Sequence, residues 1–185
     1  MSKYLVYTVK EDNIMEPKIA WCSNLRAAFT QAVTGISEMV GINASAVRKR
    51  MFIDLGVKNP YGIECRYVEE NKIYPLCYSY VLDYDASVAD NKCLKLKKGE
   101  EEKTYAVTRF EGIHECKDNT GGIDVCVPMT GGLEACKDKM WRVGKWEYGN
   151  FEGEKWKRSK DQMKISFYDS YENELWMVIE VEDGK

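Results

Sequence analysis

Helical periodicity is confined to one stretch of this chain, and that confinement limits the fold more than any other feature. Between Leu25 and Ile53 apolar residues recur three or four apart, the spacing of one helix face. Beyond Tyr61 they fall instead in short β-type runs broken by glycine. An α+β fold follows, with a β-framed helix-turn-helix module at the N-terminus and a β-rich, mostly antiparallel domain after it. The change in texture places a boundary near Glu69–Asn71. This divides the chain into a strand plus helix-turn-helix module at 1–70 and a β-rich domain at 71–185. Charge divides in the same way, with nine Lys/Arg and eight Asp/Glu in 1–70 and eighteen against twenty-two in 71–185.

The opening Tyr4-Leu5-Val6-Tyr7-Thr8-Val9 reads as a strand from its β-branched and aromatic content. Lys18–Cys22 is placed to pair back on it as a hairpin. Ser23-Asn24 supplies a helix N-cap, and Leu25, Ala28, Phe29, Ala32 and Val33 form an amphipathic stripe. A second helix is expected over Ile36–Val40, a third over Ala44–Ile53, a turn at Asn59–Gly62 and a closing strand at Ile63–Val68. In the second half the expected strands are Ile73–Leu82, Cys93–Lys97, Thr104–Phe110, Ile123–Val127, Lys164–Tyr168 and Leu175–Val181. Pro128 puts the fourth of these at a sheet edge or ends it there. Cys116-Lys117-Asp118 is echoed by Cys136-Lys137-Asp138, but the flanking Thr-Gly-Gly blocks run in opposite order, so no tandem repeat is implied.

Ile36 to Met51 carries the most chemistry. A helix-turn-helix needs a small residue where its helices nearly touch, a residue tolerant of positive φ at the turn, and an inward apolar anchor on the second helix. Ser37, Gly41 and Val47 fill these roles, and Asn43 fits the cap of the second helix. A register with the turn at Gly35-Ile36 is weaker, because it would bury Gly41. The second helix then presents Ser45 and Ala46 toward base edges. Arg48, Lys49 and Arg50, with Lys58 beyond, are placed to reach phosphates. Arg50 occupies a slot that an apolar residue would normally fill. The plainer reading is a helical hairpin whose cations are simply solvated.

On these residues, 4–68 resembles small helix-turn-helix proteins encoded by phages and other mobile elements of Gram-positive bacteria, departing from them at Glu11–Pro17 and at Arg50. The resemblance implies a mobile-element accessory protein, either a regulator or an antagonist of host defence. Tyr105-Ala106-Val107, Ile123–Pro128 and Leu175–Val181 are similar to GyrI-like small-molecule sensor domains. That likeness implies a ligand-sensing regulator.

Composition removes several classes of activity. One histidine among 185 residues leaves little room for histidine catalysis or metal binding, and 44% apolar residues suffice for a core. No run approaches the ~18 apolar residues of a membrane span, and Met1-Ser2-Lys3-Tyr4 lacks a signal peptide's apolar core. The seven cysteines then read as reduced thiols in a bacterial cytoplasm. Their closest pairs, with nine residues in between, do not make a zinc knuckle. His114 with Cys116 lacks a third orienting group for catalysis. Asp83–Asp90 lacks the glycine and glutamate of a calcium loop. Glu101-Glu102-Lys103 has no partner carboxylate for a metal-dependent nuclease.

Residues 141–160 interleave Trp141, Trp146 and Trp156 with cations that include Arg142. Such a stretch can stack bases along a single strand, although a glycine-turned hairpin with its tip at Gly149-Asn150 is favoured. Residues 169–185 are strongly acidic. Trp141, Arg142, Trp146, Trp156, Glu172 and Glu174 are therefore candidate partner contacts. The expectation is a non-enzymatic accessory protein without a cofactor, binding double-stranded DNA through its helix-turn-helix as a possible homodimer. The alternatives are an anti-CRISPR-type inhibitor of a host nucleic-acid-binding effector protein and the GyrI-like sensor.

Overall fold

The computed structural model describes residues 3–10, 13–55, 61–72, 75–88, 103–113, 123–148, 156–168 and 172–182. Strands β1 (Tyr4–Lys10) and β2 (Asn13–Cys22) pair as the expected hairpin, with Tyr4 opposite Cys22. Helices α1 (Leu25–Val40) and α2 (Ala44–Arg50) follow, then β3 (Met51–Leu55), β4 (Gly62–Tyr67) and β5 (Cys77–Asp83). These five strands form one antiparallel sheet in the order β2-β1-β5-β4-β3. After the short α3 (Tyr84–Val88) come β6 (Tyr105–Ile113), β7 (Ile123–Gly131), α4 (Leu133–Tyr148), β8 (Trp156–Arg158), β9 (Lys164–Tyr168) and β10 (Glu172–Glu180). They build a second antiparallel sheet, β7-β6-β10-β9-β8.

The sheets pack face to face with the long helices outside, giving four layers and three cores. Alternation along β1 explains the assignment. Leu5, Tyr7 and Val9 point between the sheets, toward Phe110, Val125, Val127, Leu175 and Met177. Val6 points the other way, into a core with Ala28, Ala32, Val33, Ile36 and Val47. Beneath α4, Cys136 and Met140 cover Val107, Ile165, Trp176 and Val178. The Tyr7 ring stacks on Phe110 with centroids 5.3 Å apart, and its hydroxyl donates to Met177 Sδ at 3.6 Å. Each large apolar side chain buried this way contributes about 1.5–3 kcal/mol.

The two sheets repeat one topology. β1, β2, α1, β3, β4 and β5 correspond in order and pairing to β6, β7, α4, β8, β9 and β10. Tyr4 faces Asp83 across β1 and β5 as Tyr105 faces Glu180 across β6 and β10. Both long helices have 16 residues, and Ala28 and Ala32 of α1 occupy the places of Cys136 and Met140 in α4. Backbone bonds beyond the ladders match as well: Tyr84 N–H to Lys3 O, and Val181 N–H to Thr104 O, both 2.9 Å. The Cys-Lys-Asp echo is unrelated to this duplication. Cys136-Lys137-Asp138 lies within α4, and Cys116–Gly122 lies outside the described residues.

Several expectations change. Strand β5 lies between β1 and β4, so the sheet under α1 takes in residues beyond 70. Ile36–Val40 is the last part of α1, not a separate helix. Gly35 does not turn the chain; it lets α1 approach β1, and a Cβ there would stand 2.7 Å from Thr8 Oγ1. The third helix stops at Arg50, where β-favouring Met51-Phe52-Ile53 pair with Tyr67, Arg66 and Cys65. Trp141–Tyr148 is helical, not one arm of a hairpin. Leu133, Cys136, Met140 and Trp141 carry the helical spacing; Lys139 lies on the outer face, and Lys137 is half-buried between Leu133 and Trp141 along the helix. The Cys93–Lys97 strand, the Asn59-Pro60 turn, Asp90, Glu101-Glu102, His114 and Gly149-Asn150 lie outside the described residues. No helix among the described residues is long and apolar enough to cross a membrane.

Candidate nucleic-acid interface

The turn between α1 and α2 is built from the residues that the sequence singled out. Asn24 caps α1 by accepting from the Ala27 N–H at 2.9 Å. At the other end Gly41 takes φ +74°, and the N–H groups of Gly41 and Ile42 both bond Ser37 O, at 2.9 and 3.2 Å. This left-handed cap satisfies a carbonyl that the helix end leaves open. The Ser37 hydroxyl also donates to Ile42 O. Asn43 then caps α2, its side chain accepting from the Ala46 N–H at 2.9 Å. Val47 is completely buried among α1 and the first sheet.

With Val47 facing in, Ser45, Arg48 and Lys49 face out together, since positions i, i+3 and i+4 share one side of a helix. Ala46 is half-buried. Among the described residues no carboxylate lies within ion-pair distance of Arg48 or Lys49. Arg50 differs from its neighbours, because Nη2 binds Glu70 Oε2 at 2.6 Å and ties the end of α2 to the segment after β4. That bond raises the arginine's pKa. It also accounts for a charged residue in a slot expected to be apolar. Lys58 lies outside the described residues.

Of the candidate partner contacts whose side chains are described, Trp141, Arg142 and Glu174 do not come together as one exposed face. Trp141 is half-buried, with the Arg158 guanidinium 4.1 Å from its ring centroid. Arg142 is exposed and pairs with Asp138 at 3.0 Å within α4. Glu174 is buried: it accepts from Arg109 Nη2 at 2.7 Å and Nε at 3.1 Å, and from the Trp176 indole at 3.1 Å. Its carboxylate is thus committed inside the fold. The backbones of Trp146, Trp156 and Glu172 belong to α4, β8 and β10, and their side chains lie outside the described part of the structure.

Two charged clusters are marked in the sequence by spacing alone. Glu64 is fully buried on the inner face of β4, paired with Arg66 (Nε to Oε1, 3.1 Å), which also reaches Asp54 at 3.2 Å. Arg109 bridges Glu174 and Glu111, both at 2.7 Å, and lies 5.2 Å from the Trp176 ring centroid. Glu-x-Arg in Glu64-Cys65-Arg66 and Arg-x-Glu in Arg109-Phe110-Glu111 place both charges on one side of a strand. That spacing was the only available clue. No protein-family model, curated protein or solved structure matches the chain.

Proposed function

We propose that this chain is a non-enzymatic nucleic-acid-binding protein of the regulator type, contacting double-stranded DNA through α2. The reading rests on the joint exposure of Ser45, Arg48 and Lys49 on the side of α2 opposite Val47. It is a compact cationic face on a chain whose net charge is −3. Among the described residues Arg48 and Lys49 have no carboxylate to leave before they meet phosphate, and Ser45 lies beside them in the first turn, where a small hydroxyl can approach a base edge. An accessory protein of a phage or other mobile element is the setting this role fits. The inhibitor reading has less support, because Glu174 is held by Arg109 and Trp176.

The test is a fluorescence-anisotropy titration of labelled duplex DNA over a salt series. Each phosphate contact contributes about 0.9 to the log–log slope. Arg48→Ala with Lys49→Ala should therefore lower the slope by about two units. Arg50→Ala should change it little, since that guanidinium is bound to Glu70. Equal affinity of the double variant and the wild type across the series would remove the proposal.

A further inference from the structure

The four sheet edges of this protein are not alike. A sheet edge offers unpaired N–H and C=O groups to any passing strand, and proteins blunt it with proline, lysine, bulges or short strands. Edge strand β2 contains Pro17 and Lys18, and its register against β1 shifts between Thr8 and Lys10. Edge strand β7 contains Pro128, and its register against β6 shifts between Val107 and Arg109. Edge strand β8 has three residues, with Lys157 in the middle. Strand β3 carries none of these devices. Its five residues, Met51-Phe52-Ile53-Asp54-Leu55, pair with β4 in an unbroken register. Successive residues of a strand face opposite sides of the sheet, so Phe52 and Ile53 leave a large apolar side chain on each face, 60% and 53% exposed. The charge within the strand, Asp54, is paired with Arg66 of the neighbouring strand.

We infer that β3 is an association edge, and that its occupant is β3 of a second copy of this chain, running antiparallel across a two-fold axis. The pattern of the strand is self-complementary about Ile53. Across such an axis Ile53 meets Ile53, the backbone of Met51 meets that of Leu55, and Phe52 meets Asp54, so the exposed Ile53 side chains pack on each other at the centre of the joint. Orientation is selected by charge. Antiparallel pairing sends the two α2 helices to opposite ends of the joined strands, whereas parallel pairing would bring Arg48 and Lys49 of both copies side by side. The assembly also closes. The joined sheet ends on β2 at both sides, and Pro17 and Lys18 stop further addition, so the product is a dimer and not a fibre. This inference goes beyond the DNA-binding proposal and does not depend on it.

Sedimentation velocity of the full chain without nucleic acid, over a concentration series, should show a reversible monomer–dimer equilibrium. Ile53→Lys places two like charges opposite each other at the axis and should weaken association at least about tenfold. Leu25→Lys, at an exposed site away from β3, should leave it unchanged. In a Cys65→Ala background, needed because Cys65 lies opposite Ile53 on β4, Ile53→Cys should form an intermolecular disulfide on mild oxidation, and Leu25→Cys should not, a readout that does not rely on the lysine variant folding. A wild type that stays monomeric at every concentration would overturn the inference. So would an association constant that Ile53→Lys leaves unchanged in a folded variant, or the absence of the Ile53→Cys cross-link.

Discussion

Replacing Gly35 with alanine sets two effects of opposite sign against each other, and the contact between α1 and β1 decides the outcome. Within a helix, alanine is favoured over glycine by about 1 kcal/mol. At Gly35, however, the new Cβ would stand 2.7 Å from Thr8 Oγ1, 3.2 Å from Thr8 Cβ and 3.3 Å from Thr8 Cγ2. Thr8 cannot swing aside freely, because it is buried and its hydroxyl is hydrogen-bonded to Ser79 Oγ at 2.8 Å. Overpacking of this kind costs about 1–3 kcal/mol, so the net expectation is a loss of about 1 kcal/mol. The sign should reverse in a Thr8→Ala background. There the Oγ1 and Cγ2 contacts are gone, the helix preference dominates, and Gly35→Ala should stabilise by about 0.5 kcal/mol. Urea unfolding followed by circular dichroism on the four proteins of the cycle measures both steps, with unchanged m-values as the control. Stabilisation by Gly35→Ala in the wild-type background, or strict additivity of the two changes, would refute the close approach.

At Gly41 the cost comes from the backbone alone, since φ is +74° and nothing stands within 4 Å of a built Cβ. Gly41→Ala should lower stability by about 1 kcal/mol and Gly41→Asn by less, because asparagine tolerates the left-handed region; equal melting temperatures for all three proteins would count against the turn. Stability should also fall in alkali. Burial, with Glu64 adding to it, raises the Cys65 thiol from 9.0 to about 12, and burial holds the Tyr7 hydroxyl well above its usual 10.0. Both groups stay protonated in the folded state while the unfolded chain releases protons above pH 9. Their contribution is therefore full below pH 9 and declines as pH rises toward 12. Urea midpoints that hold steady or rise between pH 8.5 and 11 would contradict this.

Local chemistry was legible, and long-range pairing was not. Asn24, Gly41 and Asn43 act through groups within a few residues of themselves, so composition and spacing locate both caps and the left-handed turn. Val47 was legible for the same reason, as the inward position of a short capped helix. Sheet membership depends on partners far along the chain. Nothing local in Cys77–Asp83 says that it lies beside Tyr4–Lys10, and its place after the change in texture suggests the other half. Helix α4 was obscured by its own composition. Its anchors Cys136 and Met140 are modest apolar residues set among lysines, while its tryptophans suggest a β-hairpin. The duplicated topology left almost no trace, because Leu5 and Ala106, or Ala32 and Met140, serve equivalent positions with side chains of different size.

The pairing of two like sheets has a consequence for how this protein comes apart. Neither sheet can keep its inner face covered without the other: Tyr7, Tyr80 and Leu82 on one side meet Phe110, Leu175 and Met177 on the other. Each half is therefore a folding dependant of its counterpart. A protease that cuts the chain between Val88 and Lys103 severs no strand pairing among the described residues of either sheet. The nicked molecule should remain one particle and melt as one. Two fragments made separately, each with its inner sheet face uncovered, become the components of a split reporter that regains its fold only where both are present.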